Sequence, residues 1–221
     1  MHRQQAYFVT GTDTGVGKTF ATCALLHAGR KQGLQVLGMK PVAAGVDDHG
    51  RNDDVERLIA ASSIAAPREL VNPYCFDAAA APHIAAAVEG RSIDPQHIAA
   101  AARDLAAGAD LLLVEGVGGF RVPLGHDVDT ADLAVRLGLP VILVVGLRLG
   151  CLNHALLTSE AIRSRGLKLA GWIANDIDPA MPWREENIAA LRERISAPLL
   201  GFVPWQDDAD PAAAADHLSL P

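Results

Sequence analysis

Cysteine is scarce in this chain, which has only three cysteines among its 221 residues. Cys23, Cys75 and Cys151 lie far apart and form no CxxC pair. Their spacing argues against a zinc site and against a framework of disulfide bonds. Isolated thiols of this kind are typical of proteins in a reducing compartment. We therefore expect a cytoplasmic protein whose cysteines do not define its fold.

Long apolar segments are also missing. The longest apolar run is LPVILVVGL, which is far shorter than the roughly 20 residues that a membrane-spanning helix needs. The N-terminal stretch MHRQQAYFVTG contains only a few apolar residues and does not have the pattern of a signal peptide. We expect no interaction with a membrane.

An excess of basic residues is absent, since the formal net charge is -7. This balance argues against a general surface for nucleic acid or for anionic lipid. It leaves room for a local basic pocket that binds a small anion.

Short apolar runs alternate with longer amphipathic stretches from one end of the chain to the other. The predicted strands are apolar throughout rather than on one face, which is typical of a parallel sheet buried on both sides. The predicted strands cover residues 6–10, 34–42, 109–116, 139–146, 168–176 and 198–205. The predicted helices cover residues 18–33, 52–63, 94–108, 130–138, 151–166 and 183–195.

This alternation predicts an α/β fold with a mostly parallel sheet and helices on both of its faces. We find no linker and no internal repeat, so residues 1–221 are expected to form a single domain. Two alternatives stay open for the alanine-rich tail at residues 208–221, which is either poorly ordered or a cover over the site.

The segment VTGTDTGVGKT follows the first predicted strand and opens the first predicted helix. The general phosphate-loop pattern has four residues between its first glycine and the Gly-Lys-Thr end, but here five residues separate Gly11 from Gly17. The Lys-Thr end is intact, so Lys18 can reach the β- and γ-phosphates of a nucleotide and the Thr19 hydroxyl can bind magnesium. Gly15 supplies further backbone freedom. With this motif after its first strand, the predicted α/β fold is expected to be of the P-loop NTPase kind.

Three further residues are candidates for the same site. Glu115 ends a buried strand and precedes VGG, a usual position for a second magnesium anchor. Lys40 ends the second strand, where a cation beside Lys18 suits a transferred phosphoryl group. Asp54 follows soon afterwards, although taken alone Asp53 and Asp54 are ordinary acids at a helix N-terminus.

Taken together, these motifs resemble the dethiobiotin synthetases, ATP-dependent ligases of biotin synthesis. The loop with the long spacing is itself that family's form, and the matching segments run in family order to about residue 205. They are VTGTDTGVGKT, MKPVAAG, RNDD, NPYCF with APHIAA, LVEGVGG followed by VPL, PVILVVGLRLGCLNHALLT, GWIAND and PLLGFVPW.

The resemblance implies a ligase that uses ATP and Mg²⁺ on 7,8-diaminopelargonic acid. One amine takes up CO2 and becomes a carbamate, whose oxygen attacks the γ-phosphate of ATP. The second amine then closes the cyclic urea of dethiobiotin and expels phosphate. Such chemistry needs charge neutralisation and orientation more than a covalent nucleophile.

The resemblance also assigns residues to these roles. Lys18 and Lys40 are the catalytic cations, and magnesium is bound by Thr19, Asp54 and Glu115. The nucleotide with its metal is expected against Gly15, Val16, Gly17, Lys18, Thr19, Phe20, Asp54, Glu115, Gly116, Val117, Gly118, Asn175, Asp176, Pro204, Trp205 and Gln206. The substrate is expected against Thr12, Ala44, Gly150, Cys151, Leu152 and Asn153.

The last four of these substrate residues open a predicted helix, whose free N–H groups attract an anion. The resemblance implies that they receive the substrate carboxylate across the interface of a homodimer. Without the resemblance, Asn153 is more simply a helix cap, and His154 a packed or solvated histidine. Trp172 is expected to be a core residue.

Ala44 departs from the family pattern, which commonly has a small hydroxyl residue in contact with substrate at this position. Alanine cannot make that hydrogen bond, so substrate binding should weaken by about 1 kcal/mol unless another group replaces it. Thr12 and backbone groups are possible replacements.

Two other functions are weighed against the ligase. A partitioning or regulatory ATPase that acts through protein partners usually carries a second lysine in the loop, where this chain has Asp13. A GTPase is disfavoured because guanine is read by Asn-Lys-x-Asp and this chain has NDID. A homologue that binds without turnover is opposed by the intact charged residues, while Ala44 keeps it open.

Overall fold

A computed structural model describes residues 4–207 and 210–221. Within those residues a six-stranded sheet has the order β2-β5-β1-β6-β7-β8, and all of its neighbouring strands are parallel. A separate two-stranded sheet pairs β3 with β4. The strands are β1 (Gln5–Gly11), β2 (Val36–Met39), β3 (Val42–Ala44), β4 (Tyr74–Phe76), β5 (Leu111–Glu115), β6 (Val141–Leu147), β7 (Leu169–Asp176) and β8 (Leu199–Val203).

Helices connect these strands and cover both faces of the main sheet. They are α1 (Lys18–Lys31), α2 (Asp53–Ala61), α3 (Arg68–Val71), α4 (Pro82–Val88), α5 (Pro95–Ala107), α6 (Thr130–Leu137), α7 (Cys151–Ser164), α8 (Arg184–Arg194) and α9 (Pro211–Ala214), followed by a 3-10 turn at Ala215–His217. The fold class predicted from the alternating pattern is confirmed by this sheet and its helices.

Alternate residues of the central strand β5 face opposite layers of the core. Leu111 and Leu113 pack with α1 in one hydrophobic cluster, whereas Leu112 and Val114 pack with α5 and α6 in another. Both faces are therefore buried, which explains why the strand sequence is apolar from Leu111 to Val114. Trp172 is fully buried on β7, as expected of a core residue.

The predicted strand at 34–42 is wrong in its second half. Strand β2 ends at Met39, and Pro41 has no N–H with which to continue a ladder. Beyond it the chain turns away, and β3 pairs with β4 instead of extending the main sheet. Lys40 therefore follows the strand end directly, with its N–H bonded to the Val71 carbonyl at 2.9 Å.

Three short elements between α2 and α5, namely α3, β4 and α4, are absent from the predicted list. They are 4, 3 and 7 residues long, which is too short for an apolar period to develop. The start of α2 agrees with the prediction, because the side chain of Asn52 caps the helix by accepting from the Val55 N–H.

The tail folds back on the body of the protein. Lys31, in the last turn of α1, donates to Asp216 at 2.5 Å, and the Ser219 N–H donates to the Leu200 carbonyl at 2.9 Å. Of the two alternatives for the tail, poor order is wrong for residues 210–221. Residues 208–209 lie outside the described residues.

None of the helices in the described ranges is long and apolar enough to cross a membrane.

Gly201 lies where the tail crosses β8, and a Cβ atom there would be 1.9 Å from the backbone oxygen of His217. We expect Gly201→Ala to lower the free energy of unfolding by about 1–3 kcal/mol, because the backbone contact cannot move aside as a flexible side chain could. Urea unfolding followed by circular dichroism measures the change.

Gly108→Ala is the matched control, since the nearest atom to its added Cβ is 3.8 Å away. It should change the free energy of unfolding by less than about 0.5 kcal/mol. If Gly201→Ala were as stable as the control, the tight contact between β8 and the tail would be refuted.

Candidate active site

The phosphate loop lies at the carboxyl end of β1, where ligands of open α/β sheets bind. Gly15 and Gly17 have φ values of 74° and 81°, which are left-handed values that suit glycine. A Cβ at Gly17 would also lie 2.1 Å from Nδ2 of Asn175. That amide donates to the Val16 carbonyl at 2.9 Å. The glycines thus allow the conformation of the loop, and the hydrogen bond from Asn175 connects the loop to β7.

The ammonium of Lys18 is held inside the loop. It donates to the Asp13 main-chain carbonyl at 3.0 Å, and the residue is 7% exposed. Burial, together with the nearby Lys40 ammonium, lowers the pKa of Lys18 to about 8. A phosphate oxygen in the loop would offset both effects.

Lys40 is the centre of a buried ion cluster. Its ammonium donates to Oε1 of Glu115 at 2.6 Å and to Oδ2 of Asp54 at 2.9 Å. Its side chain is 4% exposed and that of Glu115 is fully buried. Burial opposes the charged form of Lys40, but the two carboxylates outweigh it and raise its pKa above the ordinary value.

The same attraction acts on Asp54. Burial alone would raise the pKa of this carboxyl, but the Lys40 ammonium outweighs burial and holds the pKa below its usual value. Asp54 is therefore a carboxylate at neutral pH, and its contact with Lys40 brings it beside the phosphate loop.

Thr19 joins this cluster from the first turn of α1. Its hydroxyl donates to Oε1 of Glu115 at 2.7 Å, while Oε2 of Glu115 is buried without a hydrogen-bond partner. A buried, unpaired carboxylate oxygen costs free energy unless a donor or cation reaches it. Hydroxyl and carboxylate oxygens are ligands that Mg²⁺ accepts, so Thr19, Asp54 and Glu115 fit that ion.

The described ranges contain no group of three or more His, Cys, Asp and Glu side chains arranged to hold a metal. The protein alone would therefore provide only part of a coordination shell. Mg²⁺ commonly completes its shell with phosphate oxygens and water, and the neighbouring phosphate loop is where such oxygens would lie.

A cavity of about 730 Å³ opens beside the loop and the ion cluster. Lys18, Lys40, Asp54 and Arg57 give it a charged side. The lining also contains small apolar groups, namely Ala43, Ala44, Ala79, Ala80, Ala81, Pro82, Val117 and Val122. The cavity can therefore place a polar, reacting end of a ligand on the charges and an aliphatic body on the alanines.

Most of the predicted nucleotide residues lie in or directly behind this cavity. Its lining includes Gly15, Gly17, Lys18, Thr19, Phe20, Asp54, Val117 and Gly118. Glu115 and the Gly116 carbonyl accept hydrogen bonds from the Lys40 ammonium. Val16 is buried beneath the loop.

The predicted nucleotide residues Asn175, Asp176, Pro204, Trp205 and Gln206 lie outside the cavity. Asp176 is buried, and its carboxylate pairs with Arg184 at 3.0 Å. Asn175 is engaged with the loop, as described above. Pro204, Trp205 and Gln206 follow β8, and Trp205 is 47% exposed.

The predicted substrate residues fall into two groups. Ala44 lines the cavity, and Thr12 begins the loop, with its N–H donating to the Val144 carbonyl at 3.0 Å. Gly150, Cys151, Leu152 and Asn153 open α7 as expected, but none of them lines the cavity of its own chain. Gly150 is the N-cap, so the interpretation of Asn153 as the cap is wrong.

Several cavity residues were not predicted from the sequence. They are Thr14, Ala43, Asn52, Arg57, Ala79, Ala80, Ala81, Pro82 and Val122. The segment APHIAA, which starts at Ala81, contributed to the resemblance, but its alanines carry no chemical signal of their own. No residue from 210 to 221 lines the cavity, so the described part of the tail does not cover it.

The parallel sheet, the left-handed glycines and the enclosed Lys18 define a protein of the P-loop nucleotide-binding class. Solved structures of that class have the same fold. A MinC:MinD cell division protein complex from Aquifex aeolicus matches with a TM-score of 0.58 at 16% identity, over 95% of this chain and 86% of that chain. A ParA family ATPase from Chlorobium tepidum TLS matches with a TM-score of 0.58 at 14% identity, over 97% and 90%.

Sequence comparison narrows the class to a family. A family model described as an AAA domain matches residues 5–213. The ATP-dependent dethiobiotin synthetase BioD of Aromatoleum aromaticum (strain DSM 19018 / LMG 30748 / EbN1) is 60% identical over 224 residues, covering 100% of both chains. The BioD of Janthinobacterium sp. (strain Marseille) is 53% identical over 220 residues, covering 96% of this chain and 93% of its own. This chain belongs to the dethiobiotin synthetase family.

Lys40→Gln should lower the free energy of unfolding by about 3–5 kcal/mol, because it leaves the buried Glu115 carboxylate without its cation. Adding Glu115→Gln removes the orphaned charge and should restore part of the loss. Urea unfolding without ligands measures both variants.

Arg57→Gln is the control, since Arg57 pairs at 2.9 Å with Asp53 on the surface, where an ion pair contributes at most about 1 kcal/mol. A Lys40→Gln protein as stable as this control would contradict a buried ion pair.

Proposed function

We propose that this protein is an ATP-dependent dethiobiotin synthetase, which carboxylates 7,8-diaminopelargonic acid with CO2 and closes the cyclic urea at the expense of ATP. The observation that carries the proposal is the Lys40 ammonium between Asp54 and Glu115, beside the phosphate loop and at one side of a cavity. Relatives with this activity in their names share 60% and 53% of the sequence over nearly the whole chain.

The cations of the site match the charges of the reaction. A carbamate and ATP are both anions, and they repel each other unless positive charge lies between them. Lys18 enters the site from the loop and Lys40 from the end of β2, so the two ammonium groups can hold the two anions in line. Mg²⁺, which neutralises phosphate charge when bound, would be held by Thr19, Asp54 and Glu115.

The carbamate forms when an amine of the substrate attacks CO2 and loses a proton. Its oxygen attacks the γ-phosphorus of ATP and ADP leaves, giving a carbamic-phosphoric anhydride. The second amine attacks the carbonyl carbon, phosphate leaves and the ring closes. The protein needs no covalent nucleophile for these steps, and the cavity lining contains two lysines, an arginine and one carboxylate but no cysteine.

Both ends of the substrate are accommodated in this proposal. The small apolar groups of the cavity lining, including Ala43, Ala44 and Val117, suit its aliphatic chain. Its carboxylate is assigned to Gly150–Asn153 of a second copy, because these residues do not reach the cavity of their own chain. Leu149 is 92% exposed and Leu157 59% exposed beside that helix start, which supports burial of this face in a homodimer.

The proposal also includes the remaining assignments made from the sequence. Asn175, Asp176 and the turn at Pro204–Gln206 would lie near the adenine, on the opposite side of the loop from the cavity. A single domain over residues 1–221 is also part of the proposal, and the presence of β1 and β8 in the same sheet supports it. All three cysteines are free, which agrees with a cytoplasmic location. The acidic net charge supports the absence of nucleic-acid and membrane partners.

A partner-driven ATPase is the competing function, and a turnover assay separates the two. Purified protein is mixed with ATP, Mg²⁺ and bicarbonate, with and without diaminopelargonate, and phosphate and cyclic urea are measured. We expect phosphate release to require the diamine and to equal the urea formed. Lys18→Gln is the control, with turnover at least about 100-fold lower. ATP hydrolysis that ignores the diamine would refute the ligase.

A mixing experiment tests the shared site. Lys18→Gln and Asn153→Ala damage opposite sides of a site that spans two chains, so a heterodimer of the two variants contains one intact site. Co-expression with two affinity tags yields that heterodimer. We expect it to recover about half of the wild-type activity, whereas either variant alone stays low. If the isolated heterodimer recovered no activity, the whole site would have to lie within one chain.

A further inference from the structure

Asp13 brings a negative charge into a loop that has to accept phosphates. Its main-chain carbonyl accepts from the Lys18 ammonium at 3.0 Å. Its carboxylate accepts from the Thr14 N–H at 2.7 Å through Oδ1 and from the Arg148 guanidinium at 2.7 Å through Oδ2. A carboxylate at this place repels a nucleotide unless its charge is neutralised.

Arg148 reaches Asp13 because of the sheet order. Strands β1 and β6 are neighbours, with Gly11 opposite Val144, so the segments that follow them lie side by side. The Arg148 carbonyl in turn accepts from the Cys151 N–H at 3.0 Å, at the start of α7. One side chain thus connects the phosphate loop with the turn that precedes α7.

The ion pair contributes little to the stability of the fold. The side chains of Arg148 and Asp13 are 42% and 47% exposed, and exposed pairs of this kind typically contribute about 0–1 kcal/mol. Among the ion pairs of the described residues, neither side chain has another partner. Its effect is therefore expected on the loop and not on folding.

We propose that Arg148 is a positioning residue for nucleotide binding, which neutralises Asp13 and thereby keeps the phosphate loop able to accept a nucleotide. The inference rests on the nucleotide-binding part of the proposed function and does not involve the diamine. The Asp13 side chain has two separable roles. It accepts a hydrogen bond from the Thr14 N–H, which needs no charge, and it pairs with Arg148, which needs a negative charge. An asparagine at position 13 keeps the first role and removes the second.

The test measures binding of MgADP by isothermal titration calorimetry without diamine or bicarbonate. We expect Arg148→Gln to raise the Kd about three- to tenfold, because Asp13 then repels the phosphates, and the effect should shrink in 0.5 M salt. Arg148→Lys keeps the charge and should bind nearly as wild type. The double variant Asp13→Asn with Arg148→Gln should recover most of the affinity, although it contains no ion pair.

Recovery of affinity in the double variant would show that Arg148 acts by neutralising the charge of Asp13. If the ion pair acted only through its structure, a double variant that lacks the pair would not regain affinity. Arg165→Gln, which removes another ion-paired surface arginine, is the control and should leave the Kd unchanged. Wild-type affinity in Arg148→Gln, or a double variant as weak as Arg148→Gln alone, would overturn the proposal. Tight MgADP binding by the wild type without ligase turnover would count against the proposed function only.

Discussion

The ion pair between Lys40 and Glu115 is the interaction on which the rest of the site depends. Both side chains are buried, and removing either partner would leave the other charge buried with less compensation. The sheet brings the two side chains together. Met39 lies opposite Val114, Lys40 directly follows Met39, and Glu115 directly follows Val114. The fold thus places an ammonium and a carboxylate next to each other at the carboxyl edge of the sheet.

The neighbouring parts of the site are arranged around this pair. Helix α2 adds Asp54 from its first turn, and its cap Asn52 also donates to the Gly45 carbonyl at 2.7 Å, which ties the helix start to the segment after β3. Helix α1 adds Thr19 from the opposite side. Because the chain leaves the main sheet after Met39, β3 lies outside that sheet, and Ala43 and Ala44 of β3 line the cavity.

The fold and the charged part of the site were predictable from the sequence, whereas the apolar wall was not. Continuous apolar strands and the Gly-Lys-Thr end are local signals, so six strands, the loop and the position of Glu115 followed directly. Ala79–Ala81 come from a distant connection and have no local pattern. Asp54 needed the resemblance, since its contact with Lys40 joins residues 14 positions apart. The pairing of Arg148 with Asp13 spans 135 positions and depends on strand order, which spacing alone does not reveal.

The central claim is that a carbamate oxygen takes the γ-phosphoryl group of ATP at this site. The most direct measurement supplies bicarbonate labelled with ¹⁸O and determines, during the first turnovers, whether the released inorganic phosphate contains the label. The account predicts one ¹⁸O atom in the phosphate for each cyclic urea formed, because the carbamate oxygen leaves with the phosphorus. Unlabelled phosphate released in step with the urea, from bicarbonate that is still labelled, would contradict it.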